Sequence, residues 1–149
     1  VFTVLLPAAK DQAAAQRAGG TRSETLLGSG RILVVDDEEI VREILSDMLR
    51  RLGYEVIEAE AGAEAVEVYG SQREQIDAVI LDLVMPGMSG GDTFDALRAI
   101  DPSVRALLST GHSPDGVTQA LLDRGVKGLV PKPYGLNELA RALHAALTP

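Results

Sequence analysis

The chain has 149 residues, enough for one domain and a short additional segment, and an apolar share of 46% is ordinary for a globular protein that buries a core. Without a cysteine it can form no disulfide bond, thiolate metal site or thiol nucleophile, and an aromatic share of 3% leaves no platform for stacking bases. The net charge of −8 and the lack of a lysine and arginine cluster argue against direct binding of nucleic acid.

The first 30 residues differ in composition from the rest. Residues 1–7, VFTVLLP, are mostly β-branched or aliphatic and predict a strand that is the remnant of a preceding domain. Residues 8–30 are rich in Ala, Gly, Gln, Ser and Thr, which is typical of a linker. No apolar run reaches the roughly 18 residues of a membrane span. We therefore expect a cytoplasmic fragment without membrane insertion, from a longer chain whose other parts could be membrane-associated.

From Arg31 onward strand and helix patterns alternate, which is typical of βαβ units with a parallel sheet. The predicted strands are Ile32–Val35, Glu55–Glu58, Ala78–Leu81, Ala106–Ser109 and Gly128–Val130. The predicted helices are Glu38–Leu52, Gly62–Arg73, Gly90–Ile100, Asp115–Arg124 and Leu136–Leu147. The pattern predicts an α/β domain with five strands and five helices in alternation and a parallel sheet.

Charged residues follow three of the predicted strands. Asp36 and Asp37 close RILVVDD, Asp82 closes DAVILD, and Lys132 follows in GLVPKP. Because the carboxyl ends of parallel strands meet at one edge of a sheet, where open α/β folds bind ligands, we expect these groups to lie together. Carboxylates about 4 Å apart repel each other by about 4 kcal/mol per pair at an effective dielectric near 20. The cluster therefore calls for a cation, and its oxygen ligands are those that Mg²⁺ prefers.

Asp82 is the predicted nucleophile, because it stands alone at the end of its strand, where a carboxylate can attack phosphorus and form an aspartyl phosphate. Phosphoryl transfer depends mainly on positioning and on neutralising negative charge. Lys132 and the metal ion would share that neutralisation, and the Thr110 hydroxyl at the end of ALLST could donate to a phosphoryl oxygen. No side chain has to act as a general base.

These residues resemble one family closely, the receiver domain of two-component response regulators. The matching segments are VVDDEE at 34–39, LDLVMPGMSG at 81–90, STG at 109–111 and PKP at 131–133. They stand in the family's order at near-family spacing, and the resemblance covers about residues 31–148. The resemblance implies a receiver domain over residues 31–148 with a doubly wound (βα)5 flavodoxin-like fold, a five-stranded parallel sheet with helices on both faces. It also implies a phosphoacceptor domain in two-component or phosphorelay signal transduction that catalyses its own aspartyl phosphorylation and dephosphorylation.

The resemblance also implies roles for single residues. Asp82 would accept the phosphoryl group from the phosphohistidine of a histidine kinase or a histidine phosphotransfer domain. Thr110 is similar to the family's switch hydroxyl, and Lys132 to the lysine that pairs with the phosphoryl group, with the Lys132–Pro133 bond expected to be cis. The implied ligands of Mg²⁺ are Asp36, Asp37, Asp82 and the backbone carbonyl of Val84.

One position departs from the family pattern. Leu129 stands three residues before the lysine, where the family normally has a switch aromatic, and this leaves the coupling of Thr110 to an aromatic flip open. Tyr134 is expected to pack near the last helix without a switch role. The family further implies a conformational shift on the face of the fourth helix, fifth strand and fifth helix, and allows a weak homodimer.

The segment VFTVLLP resembles the closing strand of the ATP-binding domain of sensor histidine kinases. A linker followed by a receiver is how hybrid histidine kinases end, so we expect this chain to be the C-terminal piece of one. His112 and His144 are interpreted as surface residues rather than phosphodonors, because the first follows a strand and the second stands alone on a helix.

Three alternatives remain at the level of sequence. A haloacid dehalogenase-like Mg²⁺ phosphatase also forms an aspartyl phosphate, but it needs a second Asp two residues after the nucleophile, where this chain has Val84. A flavin-binding flavodoxin needs a phosphate loop rich in Ser, Thr and Gly after the first strand, where this chain has DDEE. A receiver-like interaction module that works without phosphorylation would be expected to have lost one of the acids or the lysine.

Overall fold

The computed structural model describes residues 27–111 and 116–148. The strands are β1 (Arg31–Val35), β2 (Glu55–Ala59), β3 (Ala78–Asp82), β4 (Ala106–Thr110) and β5 (Gly128–Pro131). The helices are α1 (Glu39–Arg51), α2 (Gly62–Gln72), α3 (Gly90–Ile100), α4 (Gly116–Asp123) and α5 (Leu136–Leu147), with a short 3₁₀ turn at Arg73–Gln75. The predicted order of strands and helices is confirmed, with ends that differ by one residue at most places.

The five strands form one parallel sheet in the order β2-β1-β3-β4-β5. Strand β1 pairs with both β2 and β3, so that Val35 lies opposite Ala59 on one side and Leu81 on the other. The chain reverses its direction of winding at β1, which makes the carboxyl edge between β1 and β3 the topological switch point. The doubly wound (βα)5 fold is therefore confirmed, and its ligand-binding edge is the one that carries the acids.

Side chains alternate between two buried layers along each strand. One layer lies under α2, α3 and α4, and it includes Val35, Leu81 and Leu108 from the strands. The other lies under α1 and α5, and it includes Val34, Ile80, Leu107 and Val130. Continuing this alternation by two residues places Asp36, Asp82, Ser109 and Lys132 on the α1 and α5 side.

Helix α3 starts very close to the end of β3. The N–H of Gly90 donates to the Leu83 carbonyl at 3.0 Å, and the Ser89 hydroxyl caps the helix by accepting from the Asp92 N–H at 3.1 Å. A Cβ at position 90 would collide with the carbonyl oxygen of Asp82 and lie 2.8 Å from the Leu83 Cα. Only glycine allows this approach, so Gly90 fixes the turn that follows Asp82.

The chain enters the domain at the amino ends of β1 and β2, on the side of the sheet opposite the acids. The Gly28 N–H donates to the Leu52 carbonyl at 2.8 Å, and the Gly30 carbonyl accepts from the Glu55 N–H at 2.8 Å. These glycines fall inside the predicted linker, whose residues up to 26 lie outside the described part of the chain, as does VFTVLLP. None of the helices between residues 27 and 148 that the structure describes is long and apolar enough to cross a membrane.

Candidate functional site

The predicted acidic residues lie together at the carboxyl edge of the sheet. One carboxylate oxygen each of Asp36, Asp37 and Asp82 lies within 4.8 Å of the others. Asp36 and Asp82 are 1% and 6% exposed, whereas Asp37 is open to solvent. The pairing of β1 with β3 brings the acids together, and the Asp36 N–H prolongs the sheet by donating to the Ala59 carbonyl at 3.2 Å.

Lys132 lies between the two buried carboxylates. Its Nζ atom is 3.4 Å from Asp36 Oδ2 and 3.4 Å from Asp82 Oδ1. The Lys132 N–H donates to the Thr110 carbonyl at 2.9 Å, which attaches the residue to the end of β4. The Lys132–Pro133 peptide bond is cis, as expected. One ammonium group therefore faces two acids that come from strands remote in the sequence.

The pKa values of these groups follow from their burial and from each other. Burial raises the pKa of Asp82, and the negative charge of Asp36 raises it further, against the opposing attraction of Lys132. Burial alone would lower the pKa of Lys132, but the attraction of Asp82 and Asp36 outweighs it and the pKa is raised. The raised pKa keeps Lys132 charged at neutral pH, and this single ammonium group faces two buried carboxyl groups.

Thr110 and Val84 border the same cleft, which has a volume of about 390 Å³. Thr110 ends β4 and is 7% exposed, and the alternation of the strand places it on the opposite face of the sheet from Ser109. The Val84 N–H donates to Asp82 Oδ1 at 3.4 Å, while the Val84 side chain is 72% exposed. The cleft is lined by Asp37, Glu38, Asp82, Leu83, Val84, Pro86, Thr110, Gly111 and Lys132.

Comparison with known proteins adds to this geometry. Residues 32–144 match the sequence profile of the family described as the response regulator receiver domain. The chain belongs to this family. It is therefore a receiver domain of two-component signalling. Receiver domains generally bind Mg²⁺ at an acidic pocket and interact with histidine kinases or phosphotransfer partners.

Two relatives come from larger proteins. The receiver is 32% identical over 126 residues to the sensor kinase CckA of Brucella abortus (strain 2308), which covers 85% of this chain and 13% of that protein. It is 39% identical over 119 residues to the response regulator MprA of Mycobacterium ulcerans, which covers 80% of this chain and 50% of that protein. The chain thus spans half or less of the length of these relatives.

A solved structure supports the same assignment. The crystal structure of the receiver domain of sensor histidine kinase PA1611 from Pseudomonas aeruginosa PAO1 superposes with a TM-score of 0.72 at 28% identity, covering 80% of this chain and 98% of that one. It was solved with a magnesium ion coordinated in the active site cleft. That ion is a property of the related domain, whose fold this receiver shares.

Sequence reasoning missed Arg42, which supports the acidic loop of the receiver from α1. Its Nη1 donates to the Asp36 carbonyl at 2.8 Å, its Nε donates to Glu58 Oε1 at 3.1 Å, and its side chain is only 12% exposed. A signal for it exists in the sequence, because a base near the start of a helix opposes the helix dipole and usually has another reason to be there. Arg42 brings positive charge to the backbone of a segment that carries two acids.

Sequence reasoning also missed a hydrogen bond between the end of β4 and the segment that follows Lys132. Tyr134 packs against the layer under α1 and α5, as predicted for a residue near the last helix. Its hydroxyl also forms a hydrogen bond with the Ser109 hydroxyl at the end of β4. No pattern in the sequence pairs these two residues, which are 25 positions apart.

The two histidines differ in what the structure says of them. His144 is exposed in the last turn of α5, far along the chain from the acids, as expected for a surface residue. His112 lies outside the described residues. Val84, two residues after Asp82, offers no acid to a phosphatase of the haloacid dehalogenase type. The geometry therefore gives that alternative no additional support.

Proposed function

We propose that this receiver accepts a phosphoryl group from a phosphohistidine onto Asp82, and that Mg²⁺ assists. One observation carries the proposal: three carboxylates from two strands converge within 4.8 Å, and the Lys132 ammonium lies 3.4 Å from the two buried ones. Thr110 and the carbonyl of Val84 belong to the proposed site because both residues border the cleft that opens at Asp82. The proposed ligands of Mg²⁺ are Asp36, Asp37, Asp82 and the Val84 carbonyl.

The donor set fits this ion. Hard oxygen ligands suit Mg²⁺, which is usually held by one or two carboxylates together with water and phosphate oxygens. Burial first and the negative charge of Asp36 second raise the pKa of Asp82, and the attraction of Lys132 does not offset both. A bound Mg²⁺ would neutralise negative charge on the carboxylates and on the incoming phosphoryl oxygens.

In the proposed transfer an Asp82 carboxylate oxygen forms the new bond to phosphorus while the phosphorus–nitrogen bond of the donor breaks. The imidazole leaves with the electron pair and regains a proton from solvent, so that charge and atoms balance. Lys132 would balance the negative charge of the equatorial oxygens, and the Thr110 hydroxyl would donate to one of them. The attacking group needs no base, because a carboxylate is already the nucleophile.

We further propose that the phosphodonor is a histidine kinase or a phosphotransfer domain, and that this receiver is the C-terminal part of a hybrid histidine kinase. The similarity to the sensor kinase CckA supports the second part, because the matched segment is a small share of that protein. Determining the sequence that precedes Val1 in the gene tests it. A kinase core upstream is expected, and a DNA-binding or other effector domain in its place would contradict the hybrid assignment.

The phosphoacceptor proposal is tested by incubating the purified chain with acetyl phosphate and Mg²⁺ and measuring the gain of one phosphoryl group by mass spectrometry. The wild type and the control Asp47→Asn, an exposed acid on α1, are expected to be labelled. Asp82→Asn is expected to stay unlabelled while keeping its fold. Labelling of Asp82→Asn at the wild-type rate would overturn the assignment, and turnover of a small phosphate ester would favour the phosphatase alternative.

A further inference from the structure

The hydrogen bond between Ser109 and Tyr134 joins the end of β4 to the segment that follows Lys132. Ser109 is 1% exposed and lies opposite Asp82 in the register of β3 and β4. Tyr134 is partly buried, with its ring in the layer under α1 and α5. Because Ser109 is buried, breaking this bond would remove a partner from a hydroxyl that water cannot easily reach.

Lys132 is therefore held from both sides by consecutive residues of one strand. Its own N–H donates to the Thr110 carbonyl at 2.9 Å, and two residues later the Tyr134 hydroxyl reaches Ser109. Pro133 lies between them and has no N–H with which to make a third tie. Thr110 and Ser109 thus set where the segment from 132 to 134 lies relative to Asp82.

The position of this segment matters because the lysine has a long, flexible stem. A point charge on a four-carbon chain is easily displaced, and a lysine has no planar geometry that would fix its direction. Even so, the Nζ atom lies at the same distance, 3.4 Å, from Asp36 Oδ2 and Asp82 Oδ1. Its backbone must be well placed for it to reach both acids.

The hydroxyl of Tyr134 can be separated from its ring. The ring side of the residue borders an apolar cleft of about 360 Å³ together with Val41, Ile44 and Pro133. Phenylalanine would keep those apolar contacts and lose only the hydroxyl. A substitution of this kind therefore tests the tie rather than the packing.

We propose that Tyr134 and Ser109 are positioning residues, whose hydrogen bond holds the segment from 132 to 134 so that the Lys132 ammonium stays between Asp36 and Asp82. The inference rests on the proposed function, since it assigns the pair an effect on phosphoryl transfer through Lys132. Neither residue needs to touch the phosphoryl group.

The experiment compares Tyr134→Phe with Tyr69→Phe, a matched control that loses another buried tyrosine hydroxyl, the donor to Asp101 Oδ2 at 2.8 Å. Two readouts are used: the rate of phosphoryl acceptance from acetyl phosphate with Mg²⁺, and the NMR side-chain signals of Lys132 without phosphodonor or metal. Tyr134→Phe is expected to slow acceptance by about three- to tenfold and to move the Lys132 signals, while Mg²⁺ affinity changes less than about twofold. Tyr69→Phe is expected to change neither readout.

Ser109→Ala should reproduce the effect of Tyr134→Phe, and the double variant should be no slower than either single variant, because both act through one bond. Unchanged Lys132 signals in Tyr134→Phe, an equal slowing in Tyr69→Phe, or additive losses in the double variant would overturn the inference. If the wild type accepts no phosphoryl group, the proposed function fails, and the Lys132 signals of Tyr134→Phe still decide whether the tie holds the lysine.

Discussion

At the scale of single residues, the site is an imbalance of charge. Two buried carboxylates, Asp36 and Asp82, share one ammonium group, and a third acid, Asp37, lies at the surface beside them. Lys132 offsets part of the repulsion, and Arg42 supports the loop from behind through the Asp36 carbonyl. The folded protein tolerates this arrangement, and a cation that binds beside the acids would stabilise it further.

Replacing Lys132 by alanine should separate metal binding from phosphoryl transfer. The three acids remain, so Mg²⁺ binding is expected to persist, while acceptance from acetyl phosphate should fall by about 10- to 100-fold because a charge that stabilises the equatorial oxygens is lost. Both are measured on the same protein, by titration with Mg²⁺ and by mass spectrometry. Lys127→Ala, which removes an exposed lysine before β5, is the control, and an acceptance rate equal to that of the control would contradict the role of Lys132.

The buried hydroxyl of Ser46 is expected to reduce the stability of the domain. Its Oγ is buried in α1 and has no hydrogen-bond partner within the part of the chain that the structure describes. Ser46→Ala should therefore raise the free energy of unfolding by about 1 kcal/mol, from removal of an unsatisfied hydroxyl and from better helix propensity. Urea unfolding measures it, with Ser71→Ala, an exposed serine of α2, as a control expected to change stability by less than about 0.5 kcal/mol. A loss of stability in Ser46→Ala would show that the hydroxyl has a partner.

At the scale of elements, the site depends on how closely a helix can approach the end of a strand. Helix α3 begins at Gly90, directly against the backbone that follows Asp82. Helix α1 begins three residues after Asp36, and the Glu38 N–H donates to Asp36 Oδ1 at 2.9 Å. The Asp36 carboxylate is thus held by the residue that precedes α1, and the backbone at Asp82 is packed against the first residue of α3, so the two acids have little freedom to move apart.

Gly90 and the neighbouring Gly91 offer a test of this packing. A Cβ at position 90 would come within 2.8 Å of the Leu83 Cα, and backbone cannot yield, so Gly90→Ala should destabilise the domain by about 1–3 kcal/mol and slow phosphoryl acceptance by displacing Asp82. A Cβ at position 91 would meet the Leu121 side chain at 3.4 Å and Ser89 Oγ at 3.8 Å, and both are ordinary van der Waals contacts. Gly91→Ala should be neutral or stabilising by up to about 1 kcal/mol. Equal effects of the two substitutions in urea unfolding would refute this account.

At the scale of the whole molecule, the parallel sheet gathers charges from segments that are far apart in the chain. Lys132 Nζ and Asp36 Oδ2 are separated by 96 positions in the sequence and by 3.4 Å in space. The two apolar layers pack against a sheet in which β1, β3, β4 and β5 follow one another, and this brings the charges to one edge. Folding therefore assembles the site, and conditions that change the charge at that edge should change the stability of the whole domain.

The pH dependence of stability should reflect the raised pKa of Asp82. Because the folded state binds the Asp82 proton more tightly than the unfolded state, the contribution of Asp82 to stability should fall as pH rises from the unfolded pKa, about 3.9, through the higher folded pKa. Asp82→Asn should remove this decline and be more stable than the wild type at pH 7 without metal. Urea unfolding in EDTA across this pH range measures it, and a wild type that gains stability over the same window relative to Asp82→Asn would contradict the raised pKa of Asp82.

Mg²⁺ should restore the stability that the wild type lacks at pH 7 relative to Asp82→Asn. A ligand that binds only the folded state adds about 2.7 kcal/mol of stability at a concentration 100 times its dissociation constant. Urea unfolding with and without saturating Mg²⁺ should show a gain of this order in the wild type and a much smaller gain in Asp82→Asn. Equal gains in the two proteins would place the ion elsewhere.

The sequence by itself determined the elements, their order and the place where the charged residues meet. Alternating apolar residues predict strands, a period of 3.6 predicts helices, and parallel strands bring their carboxyl ends to one edge, so the cluster of Asp36, Asp37, Asp82 and Lys132 could be predicted before any coordinates were known. These features can be predicted because buried strands and helices require apolar residues at regular intervals along the chain.

Only the tertiary structure decided which polar groups meet inside that edge. The tie of Ser109 to Tyr134, the bond from Arg42 to the Asp36 carbonyl and the equal reach of Lys132 to two acids depend on strand register, helix position and side-chain direction. Such contacts join one residue to one distant partner and leave no periodic pattern, because a hydrogen bond is satisfied by direction and distance rather than by the polarity of neighbours in sequence.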